Sequence, residues 1–124
     1  MKKLKASLTP SGSAGSASGT AAFEQLADGK LYAVYLDYGS VATTTDVDIK
    51  LADPAVSLLT VSNNATDGWY FPRHRPVSNT AAGFGAAVDD ASQMLPVVGA
   101  LNLVVAQSTQ VADGVVAYAF VEED

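Results

Sequence analysis

Three short clusters carry the side chains with most chemical potential. Asp46 and Asp48 stand two residues apart, Trp69-Tyr70-Phe71 sets three rings in a row, and Arg73-His74-Arg75 lies between Pro72 and Pro76. Each type suggests a different chemistry. Paired carboxylates suit a hard cation or acid–base work. Aromatic rings stack on sugars or fill interfaces. A guanidinium pair grips carboxylates through fork-shaped contacts. The carboxylates do not reach a metal site on this pattern. A hard cation wants about six to eight oxygens from a loop that wraps it. Alternating residues on one strand face, even with Asp37 nearby, supply too few. Asp89-Asp90, in an irregular stretch, is a slightly better candidate but still supplies too few oxygens. No metal and no cofactor is assigned, and Asp46 and Asp48 read as solvated carboxylates.

Nucleophilic catalysis finds no footing either. The chain has no Cys and one His, His74, so no Cys–His pair exists. No spacing marks a Ser/His/Asp set. Gly83-Phe84-Gly85 lacks the strand-then-helix setting of a dinucleotide loop. The chain reads as a non-enzyme with no catalytic residue.

The remaining candidates are residues of interaction: Lys2, Lys3, Lys5, Trp69, Tyr70, Arg73 and Arg75. Side chains alternate along a strand, so Trp69, Tyr70 and Phe71 cannot all enter one core. Two arrangements stay open. Outward rings would serve sugar stacking or a subunit contact. Alternatively Trp69 and Phe71 are core and Tyr70 reaches the surface through its hydroxyl. Arg73 and Arg75 either dock an acidic partner or carbohydrate, or pair with the chain's own Asp residues. Lys2, Lys3 and Lys5 crowd the start while Glu122, Glu123 and Asp124 close the chain. These ends either pair or remain two solvated tails.

The elements that must position these residues are strands. Lys2 to Thr9 alternates, with Leu4, Ala6 and Leu8 on one face and Lys3, Lys5 and Ser7 on the other, as in a half-buried strand near an edge. Residues 11–20 form a Gly/Ser/Ala tract, flexible by composition. Residues 1–22 are therefore a strand or arm with a flexible tract, and 23–124 a β-sandwich domain. Thr20 to Phe23 starts a second strand, and Asp28-Gly29 signals a turn. In Leu31 to Tyr38, Tyr32, Val34, Leu36 and Tyr38 fall on one face and Leu31, Ala33 and Tyr35 on the other. Thr43 to Leu51 comes after it, with Val47, Ile49 and Leu51 inward. Val56 to Val61 and Trp69 to Phe71 come next. Residues 78–95 read as a loop with one helical turn over Asp89 to Met94. Pro96 to Gln107 and Val115 to Val121 complete the pattern, Val116, Tyr118 and Phe120 sharing a face. Short, regularly spaced strands with turn signals predict an all-β antiparallel sandwich, jelly-roll-like, with about eight strands and negligible helix. No window carries a sustained helical stripe.

Composition narrows the partners. A chain of 124 residues suggests one domain, able to bury roughly two thirds of its unfolded surface. The net charge of −6 argues against duplex nucleic acid, which needs concentrated Lys and Arg. Charged residues are only 16%, as suits either a surface partly covered by a partner or a small Ala-rich domain. The longest apolar stretch, Leu95 to Ala106, contains Pro96, Gly99 and Asn102 and is too short to span a bilayer. No apolar stretch succeeds the basic start as in a secretory signal, so a soluble chain made in the cytosol is expected. Asn64-Ala65-Thr66 then reads as a chance match to a glycosylation acceptor.

Several stretches carry a family resemblance. They are Lys30-Leu31-Tyr32-Ala33-Val34-Tyr35-Leu36-Asp37-Tyr38-Gly39, Thr44-Thr45-Asp46-Val47-Asp48-Ile49, Leu58-Leu59-Thr60-Val61, and Asp67-Gly68-Trp69-Tyr70-Phe71-Pro72-Arg73. The strands running LNLVVAQ and VVAYAFVEE close the series. Together, over about residues 30–122, they resemble small β-sandwich accessory proteins from the capsid region of tailed-bacteriophage genomes. The resemblance implies a virion structural role on the capsid surface, as a decoration (cement) or minor capsid protein made in the host cytoplasm. It implies the major capsid protein or other virion proteins as partners, and a homo-oligomer, with a trimer favoured. It transfers no active-site residue, and no membrane or nucleic-acid contact. A flexible basic arm bearing Lys2, Lys3 and Lys5 would suit docking on a shell. The competing expectation is a carbohydrate- or receptor-binding module with Trp69, Tyr70 and Arg73 as its platform.

Overall fold

The computed structural model describes residues 1–74, 77–80, 83–87 and 93–123, with side chains for 1–73 and 93–123. Twelve strands and no helix are found among them: β1 (Lys2–Leu8), β2 (Ala17–Ala22), β3 (Ala27–Asp37), β4 (Asp46–Leu51), β5 (Ser57–Val61), β6 (Gly68–Tyr70), β7 (Arg73–His74), β8 (Val77–Thr80), β9 (Gly83–Ala87), β10 (Gln93–Gly99), β11 (Leu101–Ser108) and β12 (Val115–Glu123). Ten of them make two antiparallel sheets packed face to face. The larger runs β1-β12-β3-β10-β7, with β6 also on β3; the smaller runs β2-β11-β4-β5. β8 and β9 pair separately. The architecture is an all-β sandwich.

Alternation builds the core. β1 contributes Leu4 and Ala6, β12 contributes Val115, Ala117, Ala119 and Val121, and the smaller sheet answers with Val47, Ile49, Leu101, Leu103 and Val105, all essentially buried. Each larger aliphatic chain among them stabilises the fold by about 1.5–3 kcal/mol through removal from water. Residues 1–22 belong to this body. β1 is hydrogen-bonded along its length to β12, while β2 lies on β11 in the opposite sheet. Between them the Gly/Ser/Ala tract crosses from sheet to sheet, tied by an isolated Ser11–Ser18 bridge and by Gly15 N donating to Ser108 O at 2.9 Å. A strand that buries Leu4 cannot also be a free arm.

Four local expectations are corrected. First, β3 does not keep one alternation. Against β12 its register slips between Ala33, opposite Phe120, and Leu31, opposite Val121. The extra residue, Tyr32, makes a β-bulge, and a bulge flips the phase of the residues beyond it. Leu31, Val34 and Leu36 therefore point inward and Tyr32 and Tyr35 outward. Second, Asp28-Gly29 is no turn but lies inside β3. Gly29 holds φ +148°, and a Cβ there would meet the Glu122 carbonyl oxygen at 2.1 Å. Glycine is needed for close backbone approach. Third, Pro96 to Gln107 is two strands. Gly99, at φ +99°, lets the chain leave the larger sheet as β10 and enter the smaller as β11. Fourth, residues 78–80, 83–87 and 93–95, expected in a loop with one helical turn over Asp89 to Met94, are strand, Gln93 and Met94 of that turn included; Asp89 and Asp90 lie outside the described residues.

Candidate functional site: an aromatic sheet face

The outer face of the larger sheet gathers most of the aromatic side chains. Its geometry comes from register. Lys5 on β1 is opposite Tyr118 on β12, Tyr118 is opposite Tyr35 on β3, and Tyr35 is opposite Trp69 on β6. One row thus reads Lys5–Tyr118–Tyr35–Trp69 across four strands. Beside it, Lys3 is opposite Phe120, and Phe120 is opposite Ala33. The bulge at Tyr32 turns that ring onto the same face, and Phe71 joins Trp69 outward by alternation.

The rings form a continuous surface. Tyr35 meets Trp69 edge-on at 5.0 Å, Trp69 lies 5.3 Å from Phe120, and Tyr35 lies 6.4 Å from Tyr118. Trp69 and Phe71 are nearly parallel, 18° between planes at 6.4 Å, and Phe71 meets Tyr32 edge-on at 6.0 Å. Cations flank both sides. Lys3 and Lys5 sit over the Tyr118 ring at 5.6 and 5.8 Å, and Arg73 over Tyr32 at 5.6 Å. Such pairs hold each ring in place by about 0.5–1 kcal/mol at an exposed site. A shallow groove of about 440 Å³ runs between Lys3, Tyr35, Trp69, Tyr118 and Phe120. A second, of about 510 Å³, lies among Lys30, Tyr32, Arg73, Met94 and Glu122.

The face is open to solvent. Trp69 is 55% exposed, Phe71 53% and Tyr32 40%. Contiguous exposed apolar surface of this kind marks interaction sites more than chance does.

The candidate residues divide between this face and other places. Trp69, Lys3 and Lys5 are together on it. Arg73 borders it, but pairs with no Asp among the described residues: Nη1 donates to the carbonyls of Tyr32 and Pro72, both at 2.8 Å. Lys2 points along the sheet edge to Glu123 at 3.7 Å, so the chain ends do pair, weakly. Tyr70 turns inward against the core, and its hydroxyl accepts from Asn64 Nδ2 at 3.1 Å. The order is thus Trp69 and Phe71 out, Tyr70 in. Arg75 and the His74 side chain lie outside the described residues. Tyr32, Tyr35, Phe71, Tyr118 and Phe120 complete the face, and no local motif marks them as a group. Only the cross-strand register gathers them.

Elsewhere the chemistry is structural. Asp46 and Asp48 lie on the outer face of the smaller sheet. Asp37 sits on the larger sheet, where it accepts from Gly39 N at 3.0 Å, so the three do not converge. Asp48 accepts from Ser57 Oγ at 3.0 Å and Thr60 Oγ1 at 3.2 Å, with Lys50 Nζ at 3.7 Å; Asp46 accepts from Asn63 N at 2.9 Å. Among the described residues no group of three or more His, Cys, Asp or Glu side chains could hold a metal. Inside the sandwich, Thr45 and Ser108 hydroxyls share a buried hydrogen bond at 2.9 Å. The Tyr38 hydroxyl is buried with no hydrogen-bond partner among the described residues. Burial, and secondarily the charge of nearby Tyr70, push it up to about 12.

No protein-family model matches the chain, and no curated protein is similar to it in sequence.

Proposed function

We propose that this protein is a non-enzymatic structural component of a tailed-phage virion, an accessory capsid protein of the decoration or minor type that binds and stabilises the head. Its partners are the major capsid protein or other virion proteins, together with further copies of itself. The observation that carries this reading is the aromatic face. It is broad and shallow, built from rigid rings on strands, and flanked by cations. Such a surface works by area and complementarity, as interfaces do, rather than by enclosing a substrate. The resemblance of residues 30–122 to capsid-region β-sandwiches supports the same class. Weak contacts multiplied by the symmetry of a shell would give firm attachment.

The test is co-sedimentation of the purified chain with shells of the major capsid protein. Saturable binding, with shells that survive higher temperature when bound, is expected. Shells that leave the protein in the supernatant at every ratio would remove the capsid role.

A second reading is favoured by one feature. Trp69 and Phe71 are both about half exposed and nearly parallel, which is the form of a sugar-stacking platform, with Arg73 at its margin. A glycan screen read through Trp69, the only tryptophan, tests it. Saturable quenching by an oligosaccharide supports a carbohydrate-binding module, and a flat response across the screen removes it.

A further inference from the structure

We infer that the aromatic face is the contact between two copies of this chain, related by a two-fold axis that runs parallel to the strands and passes between β12 and β3. Such a dimer does not depend on the capsid role, and it is tested without shells.

The order of residues across the sheet selects this axis. Rotation about an axis along the strands keeps each row at its height and reverses its order. The row Lys5–Tyr118–Tyr35–Trp69 then faces a row reading Trp69–Tyr35–Tyr118–Lys5. Each Lys5 meets a tryptophan ring, the best partner for a cation among side chains, and each Tyr118 meets a Tyr35. Farther along the same two strands, Glu122 on β12 is opposite Lys30 on β3. The same rotation sets Glu122 of each copy against Lys30 of the other. Ring meets ring, cation meets ring, and acid meets base in one operation. An axis across the strands keeps the lateral order instead, so each strand faces itself and the two Lys-bearing β1 edges meet. The sequence of charges thus fits one two-fold and opposes the other. A three-fold arrangement cannot place a face against itself, because a surface that pairs with its own copy is a two-fold contact. The geometry therefore points to a dimer rather than the trimer that the family resemblance favours.

The packing is familiar from inside the molecule. Two sheets lie face to face at about 10 Å, their strands within about 30° of one another. Three half-exposed rings, Tyr32, Trp69 and Phe71, would be removed from water by it. In the dimer no open ring platform remains for a sugar, and the face serves contact between copies rather than contact with a shell.

The experiment is light scattering on the full chain over a dilution series, with three variants. The chain has a mass of 12.7 kDa, and the wild type is expected at twice that at high concentration. Trp69→Glu should raise the dissociation constant at least tenfold, as should Lys30→Glu. Lys30→Glu combined with Glu122→Lys should recover most of the loss, since the swap restores acid against base. All three positions are at the surface, and a thermal melt of each variant checks that it folds. A monomer at every concentration, a trimer, or a dimer indifferent to Trp69→Glu would each overturn the proposal.

Discussion

The two outer faces of the sandwich are made by the same alternation and have opposite chemistry. On the smaller sheet, outward positions carry Asp46, Asp48, Lys50 and Thr60, and these groups bind one another: Asp48 alone takes two hydroxyl donors and a lysine. That face is complete in water. On the larger sheet, outward positions carry Tyr32, Tyr35, Tyr118, Phe120 and Trp69, with cations at the margins. Here the rings contact each other but stay open to solvent. Exposure alone therefore does not define a site. A face whose groups satisfy one another needs no partner, whereas a face of unsheltered rings gains from being covered.

Truncation would break the comparison most severely. Lys3 and Lys5 belong to the aromatic face, but Leu4 and Ala6 of the same strand belong to the core. Deleting residues 1–18 should abolish the cooperative thermal transition seen by circular dichroism, so loss of binding in that variant would say nothing about the lysines. Beneath the faces the two sheets should behave alike. Leu36→Ala and Ile49→Ala are each expected to cost about 2–5 kcal/mol in denaturant unfolding.

Tyr38 provides a pH test of the interior. Its folded pKa, raised to about 12 by burial, lies above the ordinary tyrosine value of 10.0. Stability from this group is complete below about pH 10 and is lost as pH rises towards 12, because ionisation is easier in the unfolded chain. The loss is on the order of 2–3 kcal/mol at the upper end. Tyr38→Phe should flatten that decline and should be neutral or stabilising at pH 7, since it removes a buried hydroxyl that has no partner among the described residues.

The smallest effects on folding separate the faces most sharply. Trp69→Ala should lower stability by about 1–2 kcal/mol, the order of its ring contacts at a half-exposed site, while weakening association at least tenfold. Asp48→Ala on the opposite face should change stability by about 1 kcal/mol or less and leave association untouched. Equal effects of the two on association would erase the distinction.

The strands over Val47 to Leu51 and Val115 to Val121 were legible because alternation and β-branched content coincide there, and the strand over Leu31 to Tyr38 because an aliphatic and aromatic run lies between turn residues. Several features of the site were not. The bulge at Tyr32 leaves no mark in a run that is apolar on both faces, so the inward and outward residues beyond it are exchanged. The break at Gly99 is masked because apolar residues continue on both sides of it. Trp69 and Tyr70 can each face either way until β6 is set in register with β3. The composition of the aromatic face is a cross-strand property: Lys5, Tyr35, Trp69 and Tyr118 are far apart in sequence and become neighbours only through pairing. Periodicity reads what one strand does, and a sheet face is made by four.

If the outer face of the larger sheet is a contact surface, Trp69, the only tryptophan, reports on it directly. The measurement is its emission wavelength and acrylamide quenching across a dilution series of the purified chain. A covered face predicts blue-shifted, protected emission at high concentration that turns red and quenchable as the protein is diluted. Red, fully quenchable emission at every concentration, unchanged when shells are added, would contradict it.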